Sequence, residues 1–577
     1  MSAIDGNTVG HPQDEFWGHP KGLYVCFFTE MWERFSFYGM KALLFLYLIK
    51  YHLFGDAPSY QLLGAYGGMV YAMPVIGGLL ADRWLGMRKA VVAGGVLLCL
   101  GHFGMAFEGE QARLVDGAIQ RDEAALQVFY FSLALSIAGV GFLKPNISTI
   151  VGKLYPQNDP RRDSGFTLFY AGINVGALFA SLICGYLGET FGWKYGFGAA
   201  GIGMLLGLTV FLSGQKYLHG FAEPANPALL KEKVLGPLRR EGAIYAGAVA
   251  GVVVIWQLMQ HTWTVAGAMH IMSAVLVAWF IWFLVKCCNR VERQQMLSLV
   301  MLIFMVLVFF TLYEQTYGSW VAFTDRLLSK DLFSISTVDG EPVLPWSVIP
   351  LAVSPLAMAL ALKLADGGRE RIGEILIGTV ALLLIGAFVR DMSVVQQTAG
   401  SLTFLGAFFI VALTPLFTWL WPWLDQRGLN PSKPAKSAIG LLLGGLAFLP
   451  MVYAAHLAGI SGMASVWWLV LAYAVLVLGE LCISPIGLSA VTQLSVPRVV
   501  SVMMGAWFLA TAYSEVLAAK FGELTAMDVP AGETLNVAVA AARYGDLFMM
   551  MFWIGIAASA VAFALIPLVR RGMHGVK

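Results

Sequence analysis

The chain has 577 residues, 58% of them hydrophobic and only 12% charged, and its mean hydropathy is +0.72. A soluble globular protein carries roughly a quarter charged residues, so this composition cannot cover a surface that faces water throughout. The formal net charge of +2 excludes a polyelectrolyte that wraps nucleic acid, and the chain is read as an all-α polytopic membrane protein with the lipid bilayer as its surroundings.

The first twenty residues, MSAIDGNTVGHPQDEFWGHP, have neither a basic start nor an apolar core. No cleaved signal is expected, and the first apolar run should stay as a membrane helix. A membrane helix needs about 20 mostly apolar residues, and that ruler marks sixteen spans. Six come first, near 23–50, 62–82, 89–107, 126–152, 165–188 and 193–213. Two more follow near 241–260 and 263–286. The last eight lie near 296–322, 344–364, 372–390, 400–423, 437–456, 464–494, 499–521 and 547–570. Cys26, Cys99, Cys184 and Cys482 fall inside these runs, and Cys287 and Cys288 end one of them. All six are read as small buried hydrophobes without metal-ligand spacing.

Basic residues gather in the cytoplasmic loops of membrane proteins. With both termini placed on one side, twenty-five of the 37 basic residues fall in loops on that side and nine in the opposite loops. The opposite loops also hold acidic clusters such as Asp122-Glu123. Both termini are therefore expected in the cytoplasm, in a plasma or inner membrane.

Three basic residues fit neither group: Arg34, Lys41 and Lys144. Glu30, Glu33, Glu314 and Glu480 lie at similar places inside apolar spans. Each such charge costs about 2.5–3.5 kcal/mol on insertion scales. They are either buried pairs that fix helix packing or a site for charged or proton-carrying cargo, and the expense favours the site. Glu30, Glu33 and Arg34 stand at i, i+3 and i+4, on one face of the first helix. A carboxylate in a low-dielectric cavity resists ionisation, and a nearby cation restores it. Cargo whose own carboxylate competes for that cation frees the glutamate to bind a proton. Mixed charges of both signs suit a zwitterion better than a simple ion. Tyr38, Tyr71, Tyr170, Asn174 and Trp507 accompany the charges at mid-span depth. Pro145, Pro415, Pro485 and Pro497 interrupt helix hydrogen bonding beside these positions and are candidate hinges.

Several motifs together resemble one family, the proton-dependent oligopeptide transporters of the major facilitator superfamily. EMWERFSFYG (Glu30 to Gly39) is similar to its ExxER signature, and GGLLADRWLGMRKA (Gly77 to Ala90) to its first cytoplasmic loop. GFLKPN (Gly141 to Asn146) resembles the fourth-helix motif, and FYAGINVGAL (Phe169 to Leu178) the fifth. LYEQ (Leu312 to Gln315), GELCISPIGL (Gly479 to Leu488) and MMGAWFL (Met503 to Leu509) resemble the seventh, tenth and eleventh core helices. The resemblance implies a major facilitator fold of two six-helix bundles, 1–215 and 291–577. An inter-bundle linker, 216–290, would hold an optional helix pair. The spans near 344–364 and 372–390 have no place in that pattern and are read as a second hairpin inserted at about 340–391. His261 and His270 fall in the optional pair and receive no role.

The resemblance also implies roles. Arg34 and Lys144 would receive a peptide carboxylate, and Glu480 with Asn174 its amino terminus. Tyr38, Tyr71 and Tyr170 would line the pocket, with Ser484 and Trp507 closing the other side. Glu30, Glu33 and Glu314 would handle protons, with Arg34 as their cation. Phe310 stands in the pocket where the family often has Trp. Gly406 replaces an Asn at the eighth core helix, and Gly64 replaces a His found in animal members, so the glutamates must carry the proton. The implied activity is proton-coupled import of di- and tripeptides by alternating access, in a monomer that needs no cofactor beyond protons. The alternative is a family relative carrying a modified peptide, drug or nitrate. No HExxH, GxSxG or paired membrane aspartates are present, so an enzyme is not expected. A channel would need a lined pore rather than one cluster of mixed charge.

Overall fold

The structure, a computed structural model, describes residues 15–156, 159–224, 226–235, 238–333, 342–496, 499–527 and 535–574. Among these residues, sixteen long helices occupy the sixteen expected spans. The first six are α1 (Lys21–Lys50), α2 (Asp56–Leu80, widened by a π turn at Ala81–Leu85), α3 (Met87–Met105), α4 (Glu123–Lys153), α5 (Arg162–Ala180, continuing through Ser181–Gly185 and Tyr186–Phe191) and α6 (Trp193–Gly214). A hairpin of α7 (Arg240–Gln260) and α8 (Thr262–Lys286) follows. Then come α9 (Arg290–Tyr313, followed by Glu314–Tyr317 and Ser319–Leu327), the hairpin α10 (Val348–Asp366) and α11 (Glu370–Val394), and α12 (Phe404–Gln426). The last four are α13 (Lys433–Leu446 with Phe448–Ser461), α14 (Trp467–Leu494), α15 (Val500–Gly522) and α16 (Val537–Gly572).

Helix starts follow local chemistry. The Asp122 side chain accepts from the Ala125 amide at 3.0 Å at the head of α4, and Asn289 with Glu292 forms a capping box at the head of α9. Fifteen of the sixteen helices are long and apolar enough to cross a membrane. The exception is α1, in which every 18-residue stretch contains at least three charged residues. It is nonetheless the helix most withdrawn from its surroundings, with 26 of 30 residues buried.

The two six-helix groups pack internally. In the first, α1 lies against α5 and α6, and α4 against α2 and α3. In the second, α13 lies against α14 and α16, and α9 against α15. Small residues permit the closest crossings. A Cβ on Gly77 of α2 would fall 2.0 Å from the Gly141 carbonyl oxygen of α4, so only glycine fits there. Two seams join the groups, one where α2 meets α15 and one where α5 meets α12.

Each extra hairpin lies along one seam. On the α2–α15 side, Met269 of α8 packs with Ala512 and Val516, and His270 Nδ1 is 2.7 Å from the Tyr513 hydroxyl. On the other side, Phe388 of α11 meets Phe179 of α5 and Phe404 and Phe408 of α12. The second hairpin is inserted between α9 and α12, yet its turn fastens to the first group. Asp366 at the end of α10 accepts from Lys21 at 2.5 Å and from Tyr217 at 3.0 Å. An apolar crevice of about 650 Å³ separates α10 from α6.

Of the cysteines, four are buried, but Cys287 is exposed and Cys288 only partly covered. The reading of all six as buried is corrected for this pair, because the apolar run ends at Lys286 and the chain turns outward there.

Candidate functional site

The site starts from α1. Arg34 turns its guanidinium fork onto both oxygens of Glu33, and its Nε lies 3.5 Å from Glu30 Oε1. All three side chains are buried. The rings of Phe37 and Tyr38 flank the guanidinium at 4.9 and 5.9 Å. Arg34 is thus satisfied within its own helix, while Glu30 Oε2 has no hydrogen-bond partner.

Lys144 of α4 is different. Its Nζ stands 4.6 Å from the Tyr71 ring centroid, and among the described residues it makes no ion pair. Pro145 follows it inside the helix. Of the two expected carboxylate-binding cations, Lys144 is the uncommitted one.

Lys41 crosses between the groups. Its Nζ lies 2.7 Å from Glu314 Oε2 and 2.6 Å from Glu515 Oε1, with the Tyr317 ring 4.7 Å away. Glu515 of α15 is absent from the sequence reading, which therefore undercounts the charges inside the membrane. The signal that finds Glu480, an acid inside an apolar span, would have found it.

On the second group, Glu480 of α14 is buried beside Tyr313 and Glu314, and its Oε2 has no partner. Ser484, one turn on, also has an unpartnered Oγ. Asn174 is buried and donates from Nδ2 to the Tyr170 carbonyl at 2.9 Å, while Tyr170 itself is exposed. Trp507 is buried, and its carbonyl accepts from Thr511 at 3.2 Å. Phe310 reaches the cluster through an edge contact with Tyr313 at 6.0 Å.

Tyr38 is the common neighbour. It lies within electrostatic reach of Arg34, Lys41, Glu314 and Glu480, and it stacks on Tyr317 at 6.0 Å. Tyr170 is coupled in turn to Tyr38, Asn174 and Glu480. The structure therefore gathers the α1 charges, Lys144, Glu314, Glu480, Asn174 and the three tyrosines around one place between the groups. Among the candidate hinges, Pro145 and Pro415 lie inside α4 and α12. The side chain of Pro485, and Pro497 altogether, fall outside the described residues.

The two ends of the site differ. At the Lys/Arg-poor end, Arg326 pairs with Asp56 at 2.6 Å and Lys50 with Asp325 at 2.6 Å, and Glu189 accepts from the Gly400 amide at 2.7 Å. Each of these contacts joins the two groups. At the opposite end, among the described residues, no ion pair joins the core helices, and Thr167 and Tyr170 are exposed.

Comparison with known proteins agrees with this architecture. The PTR2 model of the POT family matches residues 88–366 and 379–534. The chain is 32% identical to the uncharacterized transporter YclF of Bacillus subtilis (strain 168), over the full length of both. It is 31% identical to the di-/tripeptide transporter of Lactococcus lactis subsp. lactis (strain IL1403), covering 90% of this chain and 92% of that one. Its fold is similar to a crystal structure of peptide transporter POT in complex with sulfate, at a TM-score of 0.74 and 30% identity, covering 99% of this chain and 100% of that one. A POT mutant in complex with alafosfalin gives 0.73 and 29%, covering 98% of each chain. By its motifs, its helices and these matches, the chain belongs to the POT family, membrane transporters of the major facilitator fold.

Proposed function

We propose that the chain imports di- and tripeptides together with protons, by alternating access between its two six-helix groups. The observation that carries this reading is a pair of incomplete charges, one on each group. Lys144 has no carboxylate partner among the described residues, and Glu480 has a buried carboxylate oxygen with none. Lys144 is partly covered and Glu480 buried; a charge without a partner in such surroundings is costly, and a zwitterion of suitable length relieves both. Its carboxylate goes to Lys144 and Arg34, its ammonium to Glu480 and Asn174, and Tyr38, Tyr71 and Tyr170 hydrogen-bond its backbone. The names of relatives, such as the dipeptide and tripeptide permease A of Erwinia pyrifoliae, 30% identical over 96% of this chain, support that cargo.

Coupling follows from competition. A peptide carboxylate that draws Arg34 away leaves Glu33 or Glu30 without its cation, and the freed carboxylate takes a proton. Glu314 does the same on the other group when Lys41 moves. In this reading the pairs at the Lys/Arg-poor end hold the protein closed to the outside, with the open end and both termini on the cytoplasmic side. The protein acts as a monomer in the plasma or inner membrane. Each charge moved inward gains about 2.3 kcal/mol per 100 mV, enough to concentrate a neutral peptide roughly fifty-fold per proton.

Uptake of radiolabelled dialanine into proteoliposomes tests the reading. Accumulation is expected with an inward proton gradient and should collapse when a protonophore removes it. Equal uptake with and without the gradient would refute proton coupling, and no saturable uptake would refute the cargo.

A further inference from the structure

Glu515 enters none of the roles described above, although it is buried like the charges that do. It projects from α15 toward α2, where Gly67 leaves the room for it: a Cβ there would fall 2.5 Å from the Glu515 carboxyl carbon. Lys41 from the first group therefore holds two carboxylates from the second, Glu314 and Glu515. The three side chains are 2%, 5% and 3% exposed. The charged and titratable groups that face this triad are Tyr38 of α1, Tyr66 and Tyr71 of α2, Lys144 of α4, Tyr313 of α9 with Tyr317 after it, and Glu480 of α14. On α8, His270 bonds the hydroxyl of Tyr513, two residues before Glu515.

Counting charge gives the consequence. With both carboxylates ionised the triad carries a net charge of −1. A first proton cancels that excess and still leaves Lys41 in an ion pair. Only a second proton leaves the ammonium without a carboxylate. In a simple Lys41–Glu314 pair, one proton would suffice.

We propose that Glu515 is a second latch on Lys41, a positioning residue that keeps the outer ends of the two groups together through the first protonation. Opening to the outside then requires two protons. This rests on the alternating-access reading above, but its test needs no peptide.

The full-length protein, with Cys287→Ser and Cys288→Ser, is placed in nanodiscs with spin labels at Phe107 and Ile460, exposed positions at the outer ends of the two groups. Pulsed electron resonance follows the label distance from about pH 8 to about pH 4. The expected profile is closed at about pH 8 and opens only as the second proton binds. Glu515→Gln should leave the single Lys41–Glu314 pair, closed at about pH 8 and opened by one proton. Glu314→Gln should also give a one-proton profile, because Glu515 still holds Lys41, and the double variant should stay open throughout. A double variant that still closes at about pH 8 overturns the proposal. So does a Glu314→Gln protein that is open at every pH, which decides the matter if Glu515→Gln fails to fold. A failure of dialanine uptake would strike the peptide reading and leave these distances interpretable.

Discussion

The Arg34 cluster and the Lys41 cluster lie about two turns apart on α1, and both are nearly sealed from solvent, but they bind different things together. Arg34 is held by Glu33 and Glu30 of its own helix. Lys41 is held by Glu314 and Glu515, more than 270 positions away on the other group. A pair within one helix survives any rigid movement of that helix, whereas a pair between groups must break when they separate. The first cluster is therefore suited to receive cargo in every state, and the second to report and restrain the state itself. Sharing one helix lets the two exchange information without a long path.

Arg34→Met should do the most damage. It leaves Glu33 and Glu30 buried together without their cation, and breaking a buried pair from one side costs about 3–5 kcal/mol. A thermal melt of the purified protein should show a fall of several degrees; an unchanged melting temperature would mean that the cluster is better hydrated than its burial indicates. Glu480→Gln keeps the shape and removes the charge, and a charge-assisted hydrogen bond is worth about 1.5–3 kcal/mol. Dialanine affinity should drop by roughly ten- to a hundredfold, while an N-acetylated dipeptide, lacking the ammonium, should be indifferent to the change. Lys41→Gln acts on the other cluster. Gradient-driven accumulation should fall by about tenfold while substrate counterflow, which needs no net proton movement, persists. Loss of both together would return Lys41 to the binding site and erase the distinction between the clusters.

How much of this was readable in advance follows from the range of the forces involved. The sixteen spans were legible because an apolar run of membrane length is a local property. So was the α1 face of Glu30, Glu33 and Arg34, because helical spacing places it there. The spacing put the three on one face without choosing a partner for Arg34, and the guanidinium fork closes on the two oxygens of adjacent Glu33, since a planar donor pair prefers one planar acceptor pair. The docking of the extra hairpins was not legible. Lys21 with Asp366, or His270 with Tyr513, are meetings across hundreds of residues that leave no periodic trace in either segment. Glu515 belongs to the same class: its depth could be read from its span, but its partner could not.

His52 supplies the smallest effect and a control for the pH experiments. It follows the end of α1, outside the membrane span, at the same end as the Arg326 and Lys50 pairs. The rings of Tyr47, Tyr51, Phe54 and Phe129 surround it, and neither ring nitrogen has a hydrogen-bond partner. Burial, with some help from Arg121, lowers its pKa to about 4. The unfolded chain, with a pKa near 6.5, binds the proton first, so stability declines as the pH falls from 6.5 toward 4. Over the first unit the loss is about 1 kcal/mol. His52→Phe should fit the aromatic cage and remove this slope, which melting curves at pH 6.5 and 5.5 would show against wild type. The label-distance profile of the Lys41 cluster should be unchanged in the same variant. If His52→Phe shifted that profile, acid-driven opening would originate in loosening of the outer end of α1 rather than in release of the latch between the groups.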